Sequence, residues 1–356
     1  MKKILVVDDS ALMRRVLCDI IDSDERFQVE DRAVNGLEAL ELLSRKSYDA
    51  VVLDVNMPQM NGIELLRELQ KRKISARVLM ASTDTKEGAK TTLDALELGA
   101  LDFVHKPNNA MDCRTDAFKN RLLRVLTVVA ESKEPALGKT FSVGELQTSK
   151  KMVELVSKHA ADVTGNKIVA LASSTGGPRA LQSVVPRLPK NLKAPVVIVQ
   201  HMPAGFTASL AERLNSLSEI NVKEAAEGDV LEAGTVYIAK GGKHLNIQVE
   251  TGRYSIHYTD EPAREGVKPC ANYMYESLMD SRFDQVVCVV MTGMGADGTE
   301  GILHLKEKKK IHVIAQEAST CAVYGMPRSI VNAGVANQTV PLDQIAQEII
   351  MNVGVK

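Results

Sequence analysis

Short, almost wholly apolar runs that stop at a polar residue recur along this chain, and nothing constrains its fold more. In the first third they are Lys3 to Val7, Ala50 to Leu53, Arg77 to Met80 and Asp102 to Val104; further on, Ile168 to Ala172, Ala194 to Val199 and Gln285 to Met291 read the same way. Runs this brief and this apolar suit strands buried on both faces, and helix-like patterns between them specify parallel, doubly wound sheets. The expected fold class is α/β, with two doubly wound domains and mainly parallel sheets, and 356 residues are enough for two such cores. In such a sheet, function gathers beyond the carboxyl ends of the strands. The residues that follow each run are therefore the ones to weigh for chemistry.

Composition removes several classes. At 45% hydrophobic and 25% charged the chain is too polar for a membrane protein, and its formal net charge of -1 gives no pull on phosphate backbones or anionic lipid. Neither nucleic acid binding nor membrane insertion is expected. Met1-Lys2-Lys3 leads straight into Ile4 to Val7 and two aspartates, an apolar run too short for a signal-peptide core or a spanning helix, so a cytoplasmic protein is expected. Cys18, Cys113, Cys270, Cys288 and Cys321 are odd in number and widely spaced, with no C-x-x-C pair; they read as buried free thiols.

Asp8 and Asp9 end the first run and Asp54 ends another, while Ser82 and Lys106 follow two more. Three carboxylates gathered at one sheet edge repel one another unless a cation joins them, and an oxygen-only site suits Mg²⁺. Asp54 is then the best placed to attack a phosphoryl group, with Lys106 and Ser82 holding its oxygens. One aspartate after a strand would merely begin a turn; a set of this kind outweighs that reading. Asp8-Asp9-Ser10, Leu53-Asp54-Val55-Asn56-Met57-Pro58 with Gly62, Ser82, and Lys106-Pro107 together resemble the receiver domain of two-component response regulators, over roughly the first third of the chain. The resemblance implies a flavodoxin-like domain in which Asp54 takes phosphate from a histidine kinase. Asp8, Asp9 and Asp54 would hold Mg²⁺, Ser82 would sense the phosphoryl group, and Lys106 would pair with it.

Cys113 to Val129, with Phe118, Leu122, Val125 and Leu126 at helical spacing, reads as a closing helix. Glu131 to Thr140 has no period and several breakers, which marks a linker. Gly138-Lys139-Thr140 resembles the tail of a phosphate loop, but Lys133 stands where its first glycine belongs and no strand precedes it, so nucleotide binding is rejected there. Met152, Val153, Leu155, Val156 and His159 fit a short amphipathic helix. The boundaries expected are 1–124 for the first domain, 125–163 for a linker with a short helix, and 164–356 for the second domain.

In the second domain, Ile168 to Arg179 reads as a buried strand that ends in a hydroxyl cluster and a Gly176-Gly177-Pro178 break, with Pro178 suited to the first position of a helix. A hydroxyl at such a strand-to-helix turn stands above the sheet beside free backbone N–H groups, placed to attack a carbonyl and stabilise the oxyanion. Ser174 is the candidate nucleophile. Ser and Thr before a helix also serve as caps, the commoner use on this stretch alone, and Gly-x-Ser-x-Gly is absent. His201 ends the run from Ala194 and is a candidate general base. His159, His244, His257, His304 and His312 read as surface or core residues, and His105 belongs to the first domain. Asp297 lies beyond the run from Gln285 and could orient His201, giving the chain order Ser, His, Asp. A rival use of that segment is dinucleotide binding, since Gly293, Gly295 and Gly298 form a G-x-G-x-x-G with Glu317 near the ribose position. Against it, Asp297 would set a carboxylate close to the pyrophosphate.

Ala172-Ser173-Ser174-Thr175-Gly176-Gly177, Gln200-His201-Met202-Pro203 with Gly205-Phe206, Tyr237-Ile238-Ala239, Thr292 to Gly298, and Gly325-Met326-Pro327 together resemble the catalytic domain of the chemotaxis protein-glutamate methylesterases. With the receiver in front, the resemblance spans nearly the whole chain. It implies a Rossmann-like hydrolytic domain in which Ser174, His201 and Asp297 are nucleophile, base and orienting acid, with backbone N–H groups near Thr175 and Met294 serving the oxyanion. It also implies methyl-accepting chemoreceptors as substrate, methanol as product and no cofactor for the esterase step; some members of the family also deamidate glutamine on receptors, which the same chemistry allows. The chain departs from the family pattern in reading Ala172-Ser173 before Ser174, where Gly-Ala is usual, which makes Ser173 a second hydroxyl to place. Joining a phosphorylation switch to a hydrolase suggests that the unphosphorylated receiver covers the catalytic strand ends.

Overall fold

The computed structural model describes residues 1–83, 86–107, 115–132, 163–250 and 252–356. The linker from Lys133 onward, Gly138-Lys139-Thr140, the helix at 152–159 and Cys113 lie outside them. The chain divides into two compact units, Met1–Thr140 and Phe141–Lys356.

The first unit alternates β1 (Lys2–Val7), α1 (Ala11–Asp22), β2 (Phe27–Ala33), α2 (Gly36–Arg45), β3 (Ala50–Asp54), α3 (Gly62–Arg72), β4 (Val78–Thr83), α4 (Lys86–Glu97), β5 (Asp102–Lys106) and α5 (Asp116–Glu131). All five strands are parallel, in the order β2-β1-β3-β4-β5. Every residue of β3 is buried, as an apolar central strand requires, whereas β2 at the edge alternates exposed and half-buried positions between its buried ends. That alternation is why β2 gives no apolar run in the sequence. Helix α1 packs on α5, and α3 packs on both α2 and α4, so helices clothe the sheet in two layers. The chain turns outward from β1 to β2 and then back past β1 to β3, which leaves a crevice between the carboxyl ends of β1 and β3.

The strands run slightly further than their apolar cores. Asp54 and Lys106 are the last residues of β3 and β5, and Ser82 lies inside β4 rather than after it. Backbone hydrogen bonding thus fixes the polar residues themselves.

The second unit holds β6 (Lys167–Ser173), α6 (Gly177–Val184), β7 (Val196–Gln200), α7 (Phe206–Leu217), β8 (Asn221–Glu224), β9 (Thr235–Ile238), β10 (His244–Glu250), β11 (Arg253–Thr259), α8 (Ala271–Ser277), β12 (Gln285–Val290), α9 (Thr299–Lys308), β13 (Ile311–Gln316), α10 (Met326–Asn332), β14 (Gln338–Val340) and α11 (Ile345–Val353). Seven strands form a parallel sheet in the order β14-β13-β12-β6-β7-β9-β8. The β10-β11 hairpin is antiparallel and stands apart, its Ile247 and Ile256 joining the core that holds Met274, Tyr275 and Leu278. From β6 the chain passes to β7, then to the edge strand β8, inserts β9 between the two, and later crosses back to lay β12 on the other side of β6. The switch point therefore falls between β6 and β12.

Candidate functional site

Val7 pairs with Leu53, so Asp8 and Asp54 emerge side by side at the crevice of the first unit. Asp9 joins them, and single carboxylate oxygens of Asp8, Asp9 and Asp54 lie within 4.8 Å of one another. Asp8 and Asp54 are buried and Asp9 is exposed, so the cluster opens to solvent on one side. Lys106 Nζ donates to Asp8 Oδ2 at 2.9 Å and contacts Asp54 Oδ1 at 2.7 Å. Burial pushes the Asp54 carboxyl above the usual carboxylate range despite Lys106, and the two carboxylates hold the Lys106 ammonium above its usual value against burial. Ser82 is buried beside them and accepts from the Thr92 hydroxyl at 2.9 Å. The loop is tied down locally. Asp8 Oδ1 accepts the Ser10 N–H, the Ser10 hydroxyl caps α1, and Arg14 Nη1 donates to the Asp8 carbonyl at 2.6 Å. A donor set made wholly of carboxylate oxygens fits a hard divalent cation such as Mg²⁺.

In the second unit the three residues singled out from the sequence follow three adjacent strands, β12, β6 and β7. Ser173 pairs with Gln200, so Ser174 and His201 are the next residues along neighbouring strands, and the His201 N–H donates to the Ser173 carbonyl at 3.1 Å. The Ser174 N–H donates to the Thr292 carbonyl at 3.0 Å, which ties β6 to the end of β12. His201 Nε2 lies 2.7 Å from Asp297 Oδ2, with both side chains almost wholly buried. A carboxylate only accepts, so Nε2 carries the proton of that bond and Nδ1 is the ring nitrogen left for other work. Ser174 is half-buried, and Met294 stands exposed in the loop after β12.

The capping use of these hydroxyls is not realised. The residue that caps α6 is Gly176, in a left-handed conformation with φ +76° and no side-chain hydrogen bond, and Pro178 sits in the first turn behind Gly177. Ser173 is fully buried and donates to Gln200 Oε1 at 2.7 Å, while Gln200 Nε2 donates to the Ser174 carbonyl at 3.0 Å. Of the two neighbouring hydroxyls, only that of Ser174 is left for the surface. Gly293 approaches so closely that a Cβ there would meet Ser174 Cβ at 2.7 Å.

The cradle of Asp297 was not visible in the sequence. Its Oδ2 also accepts the Ala271 N–H at 2.6 Å, and its Oδ1 accepts the Asn272 N–H and the Cys270 thiol, each at 3.0 Å. Burial works to raise its pKa, but the bond to His201, the imidazolium charge, the thiol and the Ala271 N–H outweigh it and hold the carboxyl below its usual value. The Asn272 side chain accepts from the Gly298 and Gly301 N–H groups and donates to Glu265, fixing the start of α9 just beyond Asp297. The glycine loop thus turns its carboxylate inward to His201 rather than outward. Spacing gave no cue to Cys270 or Asn272, because they precede and begin a short helix far from Asp297 in the chain. Cys18, Cys270, Cys288 and Cys321 are buried free thiols among the described residues.

Comparison with known proteins identifies the family of each unit. Residues 169–349 match the family model of the CheB methylesterase, and residues 4–117 match that of the response regulator receiver domain, a class phosphorylated in a Mg²⁺-dependent reaction. A protein-glutamate methylesterase/protein-glutamine glutaminase of Geobacillus kaustophilus (strain HTA426) is 42% identical over 352 residues, 99% of either chain. One of the same name from Pyrococcus horikoshii is 40% identical over 98% of this chain and 92% of its own. The crystal structure of the Thermotoga maritima CheB methylesterase catalytic domain matches with TM-score 0.51 at 41% identity, covering 53% of this chain and 98% of that one. Among the described residues no helix is long and apolar enough to cross a membrane. This chain belongs to the CheB methylesterase family, with a response regulator receiver domain ahead of its methylesterase domain.

Proposed function

We propose that this chain hydrolyses glutamate methyl esters on chemoreceptors in the cytoplasm, releasing methanol, and that phosphorylation of its receiver by a histidine kinase activates it. The observation that carries the reading is the 2.7 Å bond from His201 Nε2 to Asp297 Oδ2, formed one strand away from Ser174 at the switch point of the sheet. His201 Nδ1 takes the Ser174 proton as Oγ attacks the ester carbonyl, and Asp297 stabilises the imidazolium so formed. The N–H groups of Thr175 and Met294 are assigned to the oxyanion. Collapse returns the proton to the leaving methoxide, methanol departs, and water hydrolyses the acyl-enzyme by the reverse relay to leave a glutamate carboxylate. A glutamine side chain would follow the same course with ammonia as the leaving group, as the double names of the relatives suggest.

In the receiver, Asp54 is the phosphoryl acceptor. Mg²⁺ held by Asp8, Asp9 and Asp54 would offset their mutual repulsion and draw charge from the phosphoryl oxygens. Lys106 exchanges part of its bonding to Asp54 and Asp8 for the arriving phosphoryl oxygens, and the Ser82 hydroxyl donates to another. Domain order supports activation by uncovering: the phosphorylated receiver gives receptor segments access to Ser174. The test is methanol release from methylated chemoreceptor membranes, with and without a small phosphodonor and Mg²⁺. Release that rises with the phosphodonor is expected; no release in either condition from folded protein with matched receptors would remove the esterase reading.

A further inference from the structure

One buried group at the esterase site has no part in the reaction just described: the Cys270 thiol. It is wholly shielded from solvent at the residue before α8, and its Sγ lies 3.0 Å from Asp297 Oδ1. The two oxygens of that carboxylate are partnered differently. Oδ2 receives His201 and the Ala271 N–H, whereas Oδ1 receives the Asn272 N–H and the thiol. The two backbone donors come from successive residues and, one on each oxygen, hold the place and rotation of the carboxylate; the thiol, arriving by side chain, adds a second donor to Oδ1 and so bears on how the charge divides. Burial and the Asp297 charge push the thiol well above its usual range, so it stays protonated and remains a donor.

We propose that Cys270 is a positioning residue for ester hydrolysis, whose thiol hydrogen bond to Oδ1 draws charge from the Asp297 carboxylate and limits how tightly Oδ2 holds the His201 imidazolium. The proposal rests on the Ser174, His201 and Asp297 reading above. A donor on Oδ1 withdraws negative charge from the carboxylate, so a stronger donor weakens its hold on the protonated ring and the loss of the donor strengthens it. The groups that face this pair are few. His201 comes from the end of β7, and Tyr275 lies on α8 with its hydroxyl on the Ala170 and Val289 carbonyls. Arg264 and Glu265 come from the segment before α8, Arg264 engaged by Glu276 and Glu300 and Glu265 by the Asn272 amide. Of these residue types imidazole is the one that ordinarily titrates near neutrality, so a change at Oδ1 reads out on His201.

The experiment compares full-length wild type, Cys270→Ala and Cys270→Ser for methanol release from methylated chemoreceptor membranes across the acid limb of kcat/KM. In Cys270→Ala the limb moves to higher pH by about half a unit, with about a threefold fall on its acid side, as expected for losing one modest hydrogen bond. In Cys270→Ser, whose hydroxyl is the stronger donor, the limb moves to lower pH. The titration curve of the His201 ring, followed by NMR of labelled histidine, moves in the same two directions without reference to turnover. Profiles and ring titrations that superpose on wild type in both variants overturn the proposal. If Cys270→Ala does not fold, Cys270→Ser alone decides, by its downward shift or the lack of one. Asp297→Asn separates the two readings: if it retains wild-type turnover the Ser-His-Asp reading falls, whereas if it collapses while the Cys270 variants match wild type, only the Cys270 proposal falls.

Discussion

Ser173 and Ser174 are chemically identical and adjacent, yet the sheet gives them opposite fates. Ser173 faces inward as the last residue of β6 and its hydroxyl is occupied by Gln200, so Ser173→Ala is expected to keep methanol release within about twofold while losing about 1 kcal/mol of stability, the usual worth of such a bond. Ser174→Ala is expected to lower release by about 10⁴ to 10⁶, with and without phosphodonor, as removal of a triad nucleophile does elsewhere. Asp297 gives a pH prediction for stability. Its folded pKa lies below the usual 3.8, so the stability it supplies is fully present above that value and is lost as pH falls through the depressed one. Urea titrations should therefore show the gap between wild type and Asp297→Asn narrowing from pH 7 towards strong acid; a gap independent of pH would refute the assignment. The residues proposed for the esterase, and the receiver cluster, could be singled out in the sequence because they stand at or shortly beyond the end of an apolar run. Cys270, Asn272 and Gln200 were not, since their roles depend on which backbone N–H or hydroxyl lies opposite them in space, and no spacing along the chain encodes that.

At the scale of elements, catalytic geometry follows from strand register. Ser174 and His201 are held by a pair of strands whose backbone ladder fixes their relative height, and the β12 loop reaches them because Gly293 has no side chain. Gly293→Ala is expected to lower kcat by about 10², the effect of displacing a reacting group by about 1 Å, while circular dichroism reports an unchanged fold. Apolar patterning anticipated β1, β3, β4, β6, β7 and β12 and the edge strand β5, but not the edge strands β2, β8 and β14, whose partly solvated faces carry polar residues. The β10-β11 hairpin was hidden for a related reason. It contributes only alternate residues to the core, so it never forms an apolar run.

For the whole molecule, two sheets of the same kind carry two different chemistries at the same architectural place, the switch point between outward and returning strands. What distinguishes them is the residue set at each crevice: carboxylates with a lysine in one, a hydroxyl with an imidazole and a carboxylate in the other. Asp54→Asn is accordingly expected to lose the phosphodonor-dependent increment of methanol release, and EDTA added to wild type to lose it equally; an increment that survives either treatment would show that Asp54 with its cation is not the switch. The placement of Ser174 and His201 directly after two neighbouring strands of one parallel sheet, with Asp297 held in the loop beyond a third, has a further consequence for control. Moving Ser174 against His201 strains the β6-β7 ladder at the centre of the core, and moving Asp297 breaks its bonds to the Ala271 and Asn272 N–H groups. On the function proposed above, regulation is left to decide admission: the machinery stays set, and the signal determines which receptor segments reach it.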